Sequence, residues 1–234
     1  MTGATDATAR TGTRLPEDAT PWIHEFGRLI GRYIVRPAFR VRLHGRERVP
    51  MTGSLVVIAN HSTMIEPQLL FGMLPRRSVF LVKDTLFKGA LGWFFRRLGQ
   101  VPVRRGEPDR KPLMTAVSVL KDGGLVGIFP EGTRGSGDVA NAERGAAWLV
   151  RASGATVLPI ATRGTLRPAG SMKRRFRPRV DIMFGDPFTV EVGKGRAGLE
   201  EATERLRGEL AALVKSLDEW REVHQVDRSS QGRT

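Results

Sequence analysis

The run Leu-Val-Val-Ile-Ala at residues 55–59 constrains the fold more than any other stretch of the chain. Consecutive apolar residues leave a strand with no polar side. Such a strand has to be covered on both faces, as in a parallel sheet flanked by helices. The run ends in Asn60-His61, and Glu66-Pro67 follows within about a turn. Ligands of open α/β sheets sit beyond the carboxyl ends of the strands. A histidine there, with a carboxylate nearby, has the parts of an oriented general base. The neutral imidazole takes a proton from a hydroxyl, while the carboxylate fixes the tautomer and stabilises the imidazolium. The same residues also read as a histidine that caps the next helix beside a solvated first-turn acid, and the pattern alone leaves both readings open.

Similar units follow along the chain. Residues 78–83, 99–105, 125–129 and 156–161 read as further core strands, 40–43 as an edge strand, and 180–184 alternates like a strand. Helical patterns lie between or after them at 68–73, 86–98, 111–121, 143–152 and 199–223. The last carries Leu206, Leu210, Leu213 and Leu217 on one stripe. Trp93, Phe94 and Phe95 either line an apolar groove or simply pack in the core. A chain of 234 residues suits one such unit. The expected architecture is a single α/β domain over residues 41–224, with a mixed, largely parallel sheet flanked by helices. Polar tails at 1–19 and 225–234 are expected to be disordered.

Residues 20–40 read as an N-terminal amphipathic helix. Trp22, Phe26, Ile30 and Tyr33 recur at three- and four-residue spacing, while Arg28, Arg32, Arg36 and Arg40 step along another face. Such a stripe suits an anionic membrane interface, and equally a helix packed on the domain with a solvated basic side. Pro37 ends or kinks it.

Composition narrows the chemistry. There is no cysteine, which removes thiol nucleophiles, thiolate metal ligands and disulfides. His24, His44, His61 and His224 are scattered without metal-ligand spacing, so no metal site is expected. The formal charge of +14 attracts something anionic: a nucleic acid, a bilayer or phosphorylated substrates. The arginines are interleaved with strand motifs rather than gathered on a recognition helix, and no nucleic-acid motif occurs, so nucleic acid is not the expected partner. No window of eighteen apolar residues exists, and the N-terminus lacks the apolar stretch of a secretory signal. The expected location is the cytoplasmic face of the cell membrane, peripheral or monotopic.

Charged loops recur at strand ends. Arg104 and Arg105 close one short strand, and paired guanidinium forks match phosphate oxygens. Pro130-Glu131-Gly132-Thr133-Arg134 closes another; such a turn exposes backbone N–H groups and aims Glu131 and Arg134 into one crevice. A basic loop at residues 172–179 reads as a rim for anionic head groups.

Four blocks thus stand in order: Asn60-His61-x4-Glu66, Gly99-x-Val-Pro-Val-Arg-Arg105, Phe129-Pro-Glu-Gly-Thr-Arg134 and Val157-Leu-Pro-Ile160. Over about residues 40–190 the chain resembles the glycerolipid acyltransferase family, and within it the bacterial 1-acyl-sn-glycerol-3-phosphate acyltransferases. The resemblance implies transfer of a fatty acyl group from acyl-CoA or acyl-carrier protein to a glycerolipid hydroxyl, without a further cofactor. It implies His61 as general base with Glu66 as its partner. It implies Arg104, Arg105, Glu131, Gly132, Thr133 and Arg134 as substrate-binding residues, a lysophospholipid as acceptor, and an anionic membrane surface as the working partner. One departure stands out: the family pattern has aspartate where this chain has Glu66. That departure keeps a same-fold acyltransferase with another lipid or alcohol acceptor as the alternative, ahead of a basic nucleic-acid-binding protein.

Overall fold

The computed structural model describes residues 15–104, 110–131, 136–139, 142, 144–166 and 176–231, with side chains described to residue 224. Its seven strands are β1 (Arg40–His44), β2 (Leu55–Ala59), β3 (Val79–Lys83), β4 (Val101–Val103), β5 (Leu125–Ile128), β6 (Thr156–Arg163) and β7 (Arg179–Phe184). They form one sheet in the order β1-β7-β6-β2-β5-β3-β4. The β6–β7 pair runs antiparallel and the other neighbouring pairs run parallel. This is the mixed, largely parallel α/β sheet that the apolar runs imply.

The all-apolar β2 serves both faces. Val56 and Ile58 pack into one core cluster with Val126, Ala147, Val157 and Leu210. Leu55, Val57 and Ala59 pack into the other with Leu69, Leu70 and Ile23. The first face is covered by α4 (Arg110–Lys121), α5 (Gly145–Ser153) and α6 (Gly195–Gln231). The second lies under α1 (Pro21–Ile30), α2 (Glu66–Met73) and α3 (Gly89–Arg97). Every residue of β2 is buried, so each one adds to one core or the other.

The N-terminal helix is docked on the domain. Its buried side is Ile23, His24 and Gly27, and it continues through a wide helical turn, Gly31–Val35, and a tight one, Arg36–Ala38, into β1. At Gly31 a Cβ would come within 2.9 Å of the Gln68 carbonyl, and at Gly72 within 2.7 Å of the Gly31 backbone. Two glycines therefore let this segment touch α2 main chain to main chain. Trp22, Phe26, Leu29, Tyr33 and Ile34 remain exposed on the outer side. Among the described residues no helix is long and apolar enough to cross a membrane.

Two boundaries differ from expectation. Residues 15–19 do not read as tail in the structure. Ala19 donates its N–H to Pro16 O, Thr20 donates to Arg97 O, both at 2.9 Å, and Leu15 packs against the core. At the other end α6 runs to Gln231, through residues assigned to a polar tail. Polarity does not stop a helix; a breaker does, and residues 224–231 contain neither glycine nor proline.

Candidate active site

Parallel pairing brings the carboxyl ends of β2, β3, β4, β5 and β6 to one end of the sheet. β2 lies centrally and delivers Asn60 and His61 there. The Asn60 side chain closes the gap to β6: its Oδ1 accepts Thr162 N–H at 2.7 Å, and its Nδ2 donates to Thr162 O at 3.0 Å. Nδ2 also donates to Gly137 O at 3.1 Å, which ties in the loop after β5.

His61 is almost fully buried. Its Nδ1 lies 3.2 Å from Glu66 Oε2. The same oxygen accepts the backbone N–H of Ser62 at 2.7 Å and of Thr63 at 3.2 Å. Oε1 accepts the Thr165 hydroxyl at 2.6 Å. Glu66 has no solvent exposure, which excludes the solvated first-turn acid. Four donors on its two oxygens hold this carboxylate in one orientation. Nδ1 therefore carries the proton, and Nε2 is the ring nitrogen left for chemistry; among the described residues no hydrogen bond reaches it. The ring packs against Phe129, with centroids 4.5 Å apart.

Glu131, at the end of the β5 turn, accepts the His61 backbone N–H at 2.9 Å. Burial pushes its carboxyl above the usual range, aided by the negative charges of Glu66 and Asp138 and opposed by the bond from His61. Arg163, at the end of β6, makes three contacts of 2.8–3.2 Å with the Asp218 carboxylate. It also donates to the carbonyls of Ser136 and Gly137. This guanidinium thus straps the β5 loop to α6.

His61 opens onto a cavity of about 420 Å³. Gly27, Ile30 and Val35 of the N-terminal segment form one wall, Phe71 another, and Phe94, Phe95 and Leu98 a third. Phe94 and Phe95 of the 86–98 stretch therefore do line an apolar space, whereas Trp93 is exposed and is not part of its lining; the α-helix there begins only at Gly89. Lys83, Thr85 and Gln100 bring polar groups to its lining on the β3 side.

The other expected site residues divide. Arg104 lies at the end of β4, in an ion pair with Asp84 at 3.4 Å, and β4 is three places along the sheet from β2. Arg105, Gly132, Thr133 and Arg134 lie outside the described residues, as does the first half, 172–175, of the basic loop at 172–179. Thr165, Asn60 and Arg163 belong to the site without having been singled out as site residues. Asn60 stands in the first block, but nothing local marks Thr165 or Arg163. No group of three or more potential metal ligands is found among the described residues.

The chain matches known proteins over most of its length. The pattern of the acyltransferase family matches residues 40–163. The chain is 29% identical over 186 residues to the 1-acyl-sn-glycerol-3-phosphate acyltransferase of Bacillus subtilis (strain 168), covering 76% of this chain and 90% of that protein. It is 28% identical over 184 residues to the protein of that name from Streptococcus pneumoniae, covering 76% and 67%. Among solved structures it is similar to the 1-acyl-sn-glycerophosphate (LPA) acyltransferase PlsC of Thermotoga maritima. There the TM-score is 0.55 at 25% identity, over 82% of this chain and 79% of that one.

Proposed function

Since the chain belongs to the acyltransferase family, we propose that it moves a fatty acyl group from acyl-CoA or acyl-carrier protein to the free hydroxyl of 1-acyl-glycerol-3-phosphate, giving phosphatidic acid. The observation that carries this reading is the His61–Glu66 pair, buried at the head of an apolar cavity. The cavity suits a hydrocarbon chain, and the pair suits a hydroxyl nucleophile. Nε2 of His61 takes the proton of the acceptor hydroxyl as its oxygen attacks the thioester carbonyl. The tetrahedral intermediate then expels the thiolate, which recovers the proton from the imidazolium. Glu66 holds Nδ1 and stabilises that imidazolium, so the proton stays with His61 between the two steps. The hydroxyl attacks the thioester directly, and a covalent acyl-enzyme has no part in the scheme.

The reaction takes place at a membrane surface in this reading. The exposed Trp22, Phe26, Tyr33 and Ile34 enter the interface, and the exposed Arg36 and Arg40 face anionic head groups, while Arg28 turns inward to Glu25 and the Leu74 carbonyl. The test is thiol release from a long-chain acyl-CoA by the purified protein in liposomes, with and without lysophosphatidic acid, beside His61→Ala. Acceptor-dependent release that disappears in the variant supports the reading. Release with a different lipid alcohol only would move the assignment to that acceptor, and release unchanged in His61→Ala would remove the base.

A further inference from the structure

The Glu66 carboxylate carries two separate duties on its two oxygens. Oε2 collects His61 Nδ1 and two backbone N–H groups from its own turn. Oε1 is held by the Thr165 hydroxyl at 2.6 Å, from a strand end 99 residues away in sequence. The terminal torsion of a glutamate is broad, so a carboxylate bonded through one oxygen alone keeps rotational freedom. A short bond to the second oxygen removes it.

The chain places Thr165 with care. Asn60 takes both backbone groups of Thr162, which fixes the end of β6 against the end of β2. Arg163 is then anchored to Asp218. Gly164 turns the chain at φ +94°, and a Cβ there would lie 2.1 Å from Arg179 O. Only glycine makes that turn against that carbonyl. The turn brings the Thr165 hydroxyl to Glu66.

We propose that Thr165 is a positioning residue for the His61–Glu66 pair, and that it makes position 66 a glutamate site. A glutamate at the start of α2 reaches both His61 and Thr165; an aspartate, one methylene shorter, satisfies His61 alone. The departure from the family's aspartate and the Thr165 hydroxyl form a matched pair. This rests on the reading of His61 as general base.

The test is a double-mutant cycle on the full-length protein: Thr165→Val, Glu66→Asp, the double variant, and Thr165→Ser, with His61→Ala as control. Thr165→Val keeps the shape and removes the donor. It is expected to lower kcat about tenfold, the size of one lost hydrogen bond to a charged group, with KM for the acyl donor unchanged. Thr165→Ser restores the rate. In the Glu66→Asp background the valine change is expected to cost less than about twofold, because the contact is already gone. An equal cost in both backgrounds, a full rate in Thr165→Val, or no rescue by serine overturns the proposal while leaving the His61 reading intact. Full activity in His61→Ala overturns both. A matched thermal midpoint for the Thr165 variants separates positioning from unfolding, and a loss of rate that merely follows a loss of fold in Thr165→Ser as well counts against the proposal.

Discussion

The Glu131 carboxylate holds the main chain of His61, accepting its N–H at 2.9 Å. The sequence groups Glu131 with substrate-binding residues of the turn after β5. In the structure its contact fixes the strand end from which the imidazole projects. The bond needs an acceptor and not a charge. Glu131→Gln is therefore expected to keep activity within about threefold, whereas Glu131→Ala strands a buried N–H at a cost of about 1–3 kcal/mol and lowers kcat about ten- to a hundredfold. Steady-state kinetics separate the roles. A fall in kcat at constant acceptor KM fits positioning, and a rise in acceptor KM at constant kcat would return Glu131 to the acceptor site.

The contact between Gly31 and Gly72 gives a second prediction. A Cβ at Gly72 would press on the backbone of Gly31 and Arg32, which has no side-chain atom to move aside. Gly72→Ala is expected to push the N-terminal segment off α2 and to lower stability by about 1–3 kcal/mol. That segment supplies a wall of the cavity through Gly27, Ile30 and Val35. KM for long acyl donors should therefore rise more than KM for short ones. A thermal melt and a chain-length series on the same preparation check both parts; equal KM changes across chain lengths would separate the cavity from the seam.

Much of this arrangement is legible in the sequence, for a physical reason. Five apolar residues in a row leave a strand one option, and β2 forms over Leu55–Ala59 as that run dictates. The spacing of His61 and Glu66 is local, so their meeting is readable. What escapes the sequence depends on pairing between distant segments. The Thr165–Glu66, Glu131–His61 and Arg163–Asp218 contacts exist because β6 and β5 flank β2 and α6 packs over β6, and no local pattern encodes that neighbourhood. The exposure of Glu66 was open for the same reason. Its Oε1 meets the Thr165 hydroxyl from a distant strand end, a contact that its own turn does not announce.

The outer side of the N-terminal segment gives a third prediction. Trp22, Tyr33 and Ile34 are each more than 60% exposed, beside Arg32 and Arg36. Removing residues 1–40 would test membrane attachment poorly, since it also strips a wall from the cavity. Trp22→Ser, Phe26→Ser and Tyr33→Ser together leave the buried Ile23, Gly27 and Gly31 in place. The triple variant is expected to lose about tenfold or more in binding to anionic vesicles. Its turnover of a short, water-soluble acceptor should be unchanged. Flotation with anionic and zwitterionic vesicles reads the first, and a soluble assay the second. Unaltered flotation would exclude this face as the attachment site.

His24 ties the stability of the same segment to pH. Its ring is buried against Phe71, Nδ1 donates to Leu98 O at 2.7 Å, and Nε2 has no hydrogen-bond partner among the described residues. Burial lowers its pKa from 6.5 to about 4. The unfolded chain therefore binds a proton at His24 near pH 6.5, while the folded chain resists until about pH 4. Between those values the unfolded state holds more protons, and stability falls as pH falls. The contribution is full above pH 6.5 and is lost progressively toward pH 4, by about 3 kcal/mol at most. His24→Asn retains a donor for Leu98 O but cannot take up the proton. Its thermal midpoint should start lower at pH 7.5, from the lost ring packing, and then decline less than that of the wild type between pH 6.5 and pH 4.5. Parallel declines in the two proteins would mean that the acid sensitivity arises elsewhere, with the half-buried carboxylates as the next groups to test.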